Sequence, residues 1–322
     1  MIGQSRAFLN VVRLIEKIAR FDTPVLIEGE TGTGKELAAR AIHYNSPRRD
    51  CPFIPVNCGA IPDALVENEL FGHRRGAYTD AKSEQRGIIA HAQHGTLFLD
   101  EIDALTPKSQ VTLLRFLQDQ QYRQLGGSEV QSADVRIIAA SNANLSELTA
   151  QGTFRLDLLF RLNIMRLTMP PLRHRDGDVA LLSAHFLSAC AVRFGAGDKR
   201  LHGESLARLE DYRWPGNVRE LENLICREYL LCDDDVIRAD VPGENGDGRD
   251  ADRTNGDFSR LTFKQAKDLA IAQFEKRYLA EVLSLSRGNV TKAASMVGKE
   301  RRAFGRLLKK HDIDKLVYLR PL

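Results

Sequence analysis

The chain has 322 residues, of which 43% are hydrophobic and 28% are charged, a composition typical of a folded globular protein of two or three domains. The sequence contains no apolar run of the roughly 18 residues that a membrane span needs, and its first residues lack the pattern of a signal peptide. We therefore expect a cytoplasmic protein. The net charge is +3, but residues 286–322 alone carry +7, which predicts a nucleic-acid contact confined to the C-terminal end.

The strongest motif is VLIEGETGTGKE at residues 25–36. An apolar strand runs into a glycine-rich loop, and apolar residues at helical spacing follow, which is the context of a phosphate-binding P-loop rather than of a chance glycine turn. Backbone N–H groups and the helix N-terminus would bind phosphate oxygens, and Lys35 would reach the β- and γ-phosphates. The candidate nucleotide-binding residues of this motif are Gly29, Glu30, Thr31, Gly32, Thr33, Gly34, Lys35 and Glu36.

Residues 76–81 read GAYTDA and are too short and too interrupted for a strand or helix of their own. A basic pair precedes them and the charged stretch KSEQRG follows, so the pattern predicts a loop. Tyr78 would then be an exposed aromatic side chain, which is costly in water but useful as a contact anchor.

Two acidic residues follow the buried strand predicted at residues 96–99, within the motif GTLFLDEI. Glu36 stands where Ser or Thr usually contacts Mg²⁺, so Asp100 is predicted to hold the metal directly or through water. Glu101 would orient and deprotonate the attacking water. Either acid alone could be a solvated charge at a strand end, but the pair downstream of a P-loop favours the catalytic interpretation.

A third strand is predicted by VRIIAASN at residues 135–142. It ends in Asn142, whose side chain could sense the γ-phosphate. The alternative is a simple turn at the end of the strand.

The C-terminal end contains a predicted linker and a predicted helix-turn-helix. Residues 243–257 are rich in Gly, Asp and Asn and indicate a flexible linker. A long amphipathic helix at 261–286, a short helix at 289–298 and a basic helix at 299–311 follow. The candidate DNA-contacting residues are Thr291, Lys299, Arg301, Arg302, Arg306, Lys309 and Lys310. The arginines would reach bases or phosphates and the last two lysines phosphates, unless this is only a solvated basic helix.

The five cysteines are expected to be reduced thiols. They form no CxxC pair, and no histidine lies at the spacing of a zinc site.

Together these motifs resemble the sigma-54-dependent bacterial transcription activators, a branch of the AAA+ ATPases. The resemblance covers roughly residues 1–240, and the helix-turn-helix extends it to about residue 315. It rests on GETGTGKE, FIPVNCGAIP, ELFGHRRGAYTDA, GTLFLDEID, FRLDLLFRLNIMRLTMPPLRHRDGDV and WPGNVRELEN.

The resemblance implies an α/β fold with a parallel AAA+ P-loop sheet, helices on both faces, a helical lid and a small all-α DNA-binding domain. The implied domains are the ATPase core at 1–172, the lid at 173–240, the linker at 241–258 and a Fis-like helix-turn-helix at 259–322. Residue 1 lies close to the start of the ATPase region, so we expect either a natural short form or a chain whose regulatory domain was removed.

The implied function is an ATP-hydrolysing, DNA-binding transcription regulator that uses ATP and Mg²⁺. It would bind double-stranded DNA, assemble into a ring of identical subunits, expected to be a hexamer, and remodel RNA polymerase holoenzyme containing sigma-54. Arg155 and Arg161 match the arginine fingers that act across the subunit interface. A surface salt bridge is the less favoured alternative for each arginine.

Three further positions match residues of the family. Glu36 is normal there, which removes the concern about its place in the P-loop. Arg219 matches the lid arginine that contacts nucleotide within the same subunit. Asn57 matches the residue that couples Glu101 to the nucleotide state, although an ordinary turn-capping role is the alternative.

The GAYTDA loop occupies the place of the family's GAFTGA loop, which touches the sigma factor. Its residues are Gly76, Ala77, Tyr78, Thr79, Asp80 and Ala81. Tyr78 keeps an aromatic ring, whereas Asp80 adds a charge and a Cβ where the family has glycine. Impaired engagement of sigma-54 is therefore expected.

Two other functions follow from these observations. One is a DNA-binding regulator that does not engage sigma-54 and that responds to nucleotide or, as the resemblance to some members of the family implies, to cyclic di-GMP, for which Arg48 and Arg49 could serve. The other, an AAA+ unfoldase or protease partner, is disfavoured by the DNA-binding end.

Overall fold

The computed structural model describes residues 1–78, 83–195 and 197–241, together with residues 279, 286, 289–296, 304, 305 and 308. The chain divides into two compact units, Met1–Asn245 and Gly246–Leu322. Within the described part, no helix is both long enough and apolar enough to cross a membrane.

A five-stranded parallel sheet forms the centre of the first unit. Its strands are β1 (Val25–Glu28), β2 (Phe53–Asn57), β3 (Thr96–Asp100), β4 (Arg136–Ser141) and β5 (Met165–Thr168). The order across the sheet is β2-β3-β4-β1-β5. Asn57 pairs with Asp100 and Glu28 pairs with Ser141, so the carboxyl ends of four strands meet at one edge. Open parallel sheets bind ligands at this edge.

Ten helices of the described residues belong to the first unit. They are α1 (Arg6–Ala19), α2 (Lys35–Tyr44), α3 (Val66–Phe71), α4 (Ile88–His91), α5 (Pro107–Asp119), α6 (Leu145–Ala150), α7 (Leu156–Leu162), α8 (Asp178–Phe194), α9 (Gly203–Asp211) and α10 (Asn217–Leu231). Single turns of 3₁₀ helix lie at Cys58–Ala60, Asp63–Leu65, Ile102–Ala104 and Leu172–His174.

Helices cover both faces of the sheet, because alternate strand residues point to opposite sides. Val25 and Ile27 pack with α1 and α2 in one apolar cluster. Leu26 belongs to the cluster on the other side, which includes residues of α3 to α7. The predicted parallel sheet with helices on both faces is therefore confirmed, as are the three predicted strands to within about two residues.

Three pairs of short strands in the described part of the chain lie outside this sheet. Gly72–His73 pairs with Gln85–Arg86 and Gln121–Tyr122 with Gln131–Ser132, both antiparallel. Arg200–Leu201 pairs in parallel with Val236–Ile237.

A helical subdomain follows β5 and has its own core. Helices α8, α9 and α10 enclose the buried side chains of Trp214 and Tyr229. A buried ion pair between Arg175 and Asp178 ties the start of this lid to the first residues of the chain. Asp178 accepts hydrogen bonds from the backbone N–H groups of residues 4 and 5, so the buried charge is satisfied by several donors.

The described residues of the second unit include helix α11, Val290–Met296. Asn289 begins it by accepting hydrogen bonds from two backbone N–H groups, and Phe304 and Leu308 pack with residues of this helix. The short helix predicted at 289–298 is confirmed over Val290–Met296, and Thr291 is exposed on it. The other six predicted DNA contacts, the predicted linker and almost all of the long amphipathic helix lie outside the described residues.

All five cysteines are free thiols. Cys190 and Cys226 lie closest together, with 3.0 Å between their sulfur atoms in the lid.

Candidate nucleotide-binding site

The P-loop connects β1 to α2 at the carboxyl edge of the sheet. The predicted order of strand, glycine loop and helix is confirmed, since β1 ends at Glu28 and α2 begins at Lys35. Gly32 has φ +79°, and a Cβ there would lie 2.2 Å from the carbonyl oxygen of Gly216. Only glycine can therefore occupy this point, where the loop touches the turn before α10.

Beside the loop is a cleft of about 510 Å³. Most of the predicted site residues line it: Thr31, Gly32, Thr33, Gly34, Lys35, Glu36, Asn57, Asp100, Glu101, Asn142 and Arg219. The fold thus brings together residues from the P-loop, from the ends of three strands and from α10. Gly29 and Glu30 lie in the same loop without lining the cleft; Gly29 donates from its N–H to the Ser141 carbonyl at 3.3 Å.

The Lys35 ammonium lies among hydrogen-bond acceptors at the cleft. It donates to the carbonyl oxygens of Gly29 at 2.8 Å and Glu30 at 3.2 Å, and to Asn142 Oδ1 at 2.5 Å. Burial lowers the pKa of Lys35, while the charges of Asp100 and neighbouring acids oppose this shift. A cation held in this way favours an incoming anion.

Asp100 and Glu101 follow β3 directly. Burial raises the pKa of Asp100, and the Glu101 N–H and the Lys35 charge counteract that effect. Glu101 has φ +54° and ψ +46°, a left-handed conformation that few residues other than glycine adopt. A Cβ on Gly59 would lie 2.8 Å from Glu101 Oε2. Backbone strain of this kind clusters at functional sites.

Asn57 caps a turn in the described structure. Its Oδ1 accepts hydrogen bonds from the N–H groups of Gly59 at 2.8 Å and Ala60 at 3.2 Å. Among the hydrogen bonds of the described residues, none joins Asn57 to Glu101. The capping alternative therefore describes Asn57 here, and its coupling to Glu101 stays a prediction.

Asp103 is a site residue that the sequence analysis missed. Its Oδ1 accepts from Ser141 Oγ at 2.9 Å and from the Asn142 N–H at 3.2 Å. It thereby fixes the strand end from which Asn142 reaches Lys35. In the sequence it is the third acidic residue of DEID. The nucleotide-site motif assigns roles to the first two acids and leaves this third one unexplained.

An apolar wall of the cleft was also missed. Its members, which come from the chain start and from α1 and α8, are Met1, Ile2, Phe8, Leu182 and Phe186. Such a wall suits a flat, partly apolar ring. Helical periodicity indicates buried residues at several of these positions but not that they would meet beside a P-loop.

Arg155 and Arg161 lie at the two ends of α7. Arg155 forms an ion pair with Asp157 at 2.7 Å, as the salt-bridge alternative states, and Arg161 donates to the carbonyls of Leu117 and Gln118 at the end of α5. Both arginines are described and exposed, and neither lines the cleft of its own chain. Their role as arginine fingers stays a prediction, and it would require a second subunit.

The described half of the GAYTDA loop supports its prediction as a loop with an exposed aromatic. The Tyr78 side chain is 48% exposed, and its ring meets that of His73 edge to face at 5.1 Å. Gly76 has φ +83°, and the Arg74 N–H donates to the Leu125 carbonyl at 3.0 Å. Thr79, Asp80 and Ala81 lie outside the described residues, so the effect of Asp80 stays a prediction.

Profiles of three known families match the chain. They are the Sigma-54 interaction domain at residues 1–168, the AAA+ ATPase lid domain at 173–255 and the Bacterial regulatory protein, Fis family, at 270–311.

Individual relatives agree with these profiles. Nitrogen fixation protein AnfA from Azotobacter vinelandii is 42% identical over 98% of this chain, which spans 58% of AnfA. Transcriptional regulatory protein GlrR from Escherichia coli is 42% identical over 98% of this chain and 68% of GlrR. The structure of NtrX from Brucella abortus in complex with ATP matches with a TM-score of 0.71 and 33% identity, over 97% of this chain and 69% of NtrX.

We expect Asp103→Ala to lower nucleotide hydrolysis by about tenfold or more, because residues that orient functional groups from behind typically contribute 10–100-fold. Asn142 would lose the acceptor that fixes its backbone. Asp63→Ala, at another 3₁₀ turn, is the matched control and should keep the parent rate. Phosphate release measures both, and a normal rate in a folded Asp103→Ala variant would show that Asn142 needs no such support.

Proposed function

The chain belongs to the family of sigma-54-dependent transcription activators, and on this premise we propose that it hydrolyses ATP to remodel RNA polymerase holoenzyme at promoters. The observation that carries the proposal is the cleft where the P-loop, Asp100, Glu101 and Asn142 meet. GlrR is a transcriptional regulatory protein and NtrX was solved with ATP, which supports both parts of it. Such a regulator works in the cytoplasm, bound to double-stranded DNA through its Fis-type end.

ATP binding would use groups that the cleft already presents. The N-terminus of α2 and the loop N–H groups favour phosphate oxygens, and the Lys35 ammonium can exchange its present acceptors for them. The apolar wall that contains Phe8 and Phe186 would cover the base. Arg219 would add a second cation from the lid.

The acidic residues fit a Mg²⁺ ion, a hard cation that prefers carboxylate oxygens. Glu36 lines the cleft, but its carboxylate pairs with Arg40 at 2.8 Å on an exposed face of α2. Asp100 is therefore the better candidate to hold the metal. Asp100 would place the ion beside the phosphates, where its positive charge would offset theirs.

Glu101 is proposed to accept a proton from the water that attacks the γ-phosphorus. Its left-handed backbone directs the carboxylate toward Gly59, where the missing side chain leaves it room. Arg155 and Arg161 would come from a neighbouring copy, because they lie outside the cleft of their own chain. The active form is therefore proposed to be a ring, a hexamer by analogy with the family.

The alternative of a regulator that does not engage sigma-54 gains no support from the relatives. Its argument depends on Asp80, and cyclic di-GMP would need free arginines at Arg48 and Arg49. Arg48 is already paired with Asp22 and Asp134 of its own chain at 2.5 Å each. This pairing disfavours Arg48 as the cation that recognises a cyclic dinucleotide.

Glu101→Gln is expected to keep ATP binding and to lower turnover by at least about 10²-fold, as the loss of a general base does. Equilibrium titration with a fluorescent ATP analogue and steady-state phosphate release separate the two effects. Glu67→Gln on α3 is a control that changes the same group without lining the cleft. Normal hydrolysis by Glu101→Gln would remove this residue from the mechanism.

Transcription from a sigma-54-dependent promoter tests the proposed partner. Purified parent protein with ATP should activate the sigma-54 holoenzyme and not the housekeeping holoenzyme.

Tyr78→Ala should abolish activation yet keep ATP hydrolysis within about threefold, because Tyr78 lies outside the cleft. Asp80→Gly should raise activation, since it removes a charge that contact would desolvate. Activity with the housekeeping holoenzyme alone would contradict the proposal.

A further inference from the structure

Asn217, the first residue of α10, joins the P-loop to the segment that leads into the lid. Its Oδ1 accepts from the Leu172 N–H at 2.8 Å, and its Nδ2 donates to the Thr31 carbonyl at 3.0 Å and to Glu30 Oε2 at 3.2 Å. The residue is fully buried and has φ +53°. One amide group therefore connects segments that lie up to 187 residues apart in the sequence.

A backbone contact beside Asn217 repeats the connection. The Val218 N–H donates to the Gly32 carbonyl at 3.1 Å, and Gly32 has no room for a Cβ because the Gly216 carbonyl occupies that space. The next residue, Arg219, lines the cleft. The same turn thus contacts two successive P-loop carbonyls and positions a cation at the cleft.

These contacts determine which way the P-loop N–H groups point. In a planar trans peptide the carbonyl and the following N–H point in opposite directions. Because the lid turn binds the carbonyls of Thr31 and Gly32, it directs the N–H groups of Gly32 and Thr33 away from itself. Among the described residues, the one hydrogen bond of the Thr33 N–H is a long one of 3.4 Å to the Glu30 carbonyl, which a phosphate oxygen can replace.

Glu30 forms a second connection from the P-loop to the same segment. Both of its oxygens pair with the Arg173 guanidinium, at 2.8 and 2.5 Å. The hydrogen bond from Arg173 is the main reason that the pKa of Glu30 is lowered to about 2. This pair is largely exposed and is worth little alone, so the buried Asn217 amide is the principal link.

We propose that Asn217 is a positioning residue for ATP, which holds the P-loop in its phosphate-binding form while the lid is seated against it. Lid seating and phosphate binding are then linked equilibria, and each favours the other. The inference rests on the proposed function in one respect, that the cleft binds ATP. It predicts that loss of the Asn217 side chain weakens ATP binding and leaves the chemical step largely intact.

The decisive variant is Asn217→Gly in the full chain. Glycine adopts the positive φ without strain, so the substitution removes the three hydrogen bonds and not the backbone geometry. The Kd of a fluorescent ATP analogue and the KM for ATP should both rise about tenfold. The kcat should stay within about threefold, because Asn217 does not touch the reacting groups.

Asn144→Gly is the matched control. Asn144 also begins a helix, accepts from the Ser146 N–H at 3.1 Å and donates to Glu147 at 2.8 Å, but it lies outside the cleft lining. Its substitution should leave both Kd and KM at the parent values.

A second substitution that restores ATP binding distinguishes a positioning role of Asn217 from a general defect of folding. Asn217→Asp keeps the acceptor for the Leu172 N–H but turns a carboxylate toward Glu30, so Kd should rise further than in Asn217→Gly. Adding Glu30→Gln removes the like-charge repulsion and supplies an amide donor, and Kd should fall again. A defect of folding alone would not be recovered in this way.

Thermal unfolding without nucleotide establishes that each variant is folded. A folded Asn217→Gly variant with the parent Kd, or with a loss in kcat alone, would overturn the inference. Should that variant fail to fold, Asn217→Asp takes its place, and an unchanged Kd there overturns the inference as well. A parent that binds ATP without hydrolysing it would contradict the proposed function and leave the Kd comparison intact.

Discussion

The buried ammonium of Lys35 is the charge on which the rest of the cleft depends. Burial lowers its pKa, while the charges of the nearby acids oppose that shift and favour the cation. The nearest acceptors come from the P-loop and from Asn142, and Asp100 contributes negative charge from β3. These groups meet only if the strands keep their parallel register, in which Glu28 pairs with Ser141 and Asn57 with Asp100.

Near this cation, contacts with the surrounding structure hold two residues in backbone conformations that their side chains disfavour. Glu101 and Asn217 both have positive φ, at +54° and +53°, although neither is glycine. Strained positions persist when surrounding contacts determine them, and here the contacts are the β3 strand end and the P-loop. The lid turn supports the P-loop from behind, while Asp103 fixes the strand end of Asn142. The site is thus a set of mutually supporting contacts rather than a list of separate residues.

The sequence predicts what depends on local pattern. An apolar strand before a glycine loop, and a second one before Asp100 and Glu101, identify the sheet edge and eight of the residues that line the cleft. Asn217 and the apolar wall were beyond such reasoning, because their partners lie far away along the chain: Asn217 meets Thr31 across 186 residues. The sequence leaves the ion pair of Arg155 as an alternative, since the rotamer of an exposed arginine depends on neighbours such as Asp157.

We propose that one chain holds an ATP cleft that needs a second chain to complete it. The rate of phosphate release per chain, measured with ATP and Mg²⁺ over a wide range of protein concentration, tests this claim most directly. The account predicts a low rate at dilution that rises steeply and then reaches a plateau as subunits associate, because Arg155 and Arg161 lie outside their own cleft. A rate per chain that is high and independent of concentration down to the monomer would contradict it.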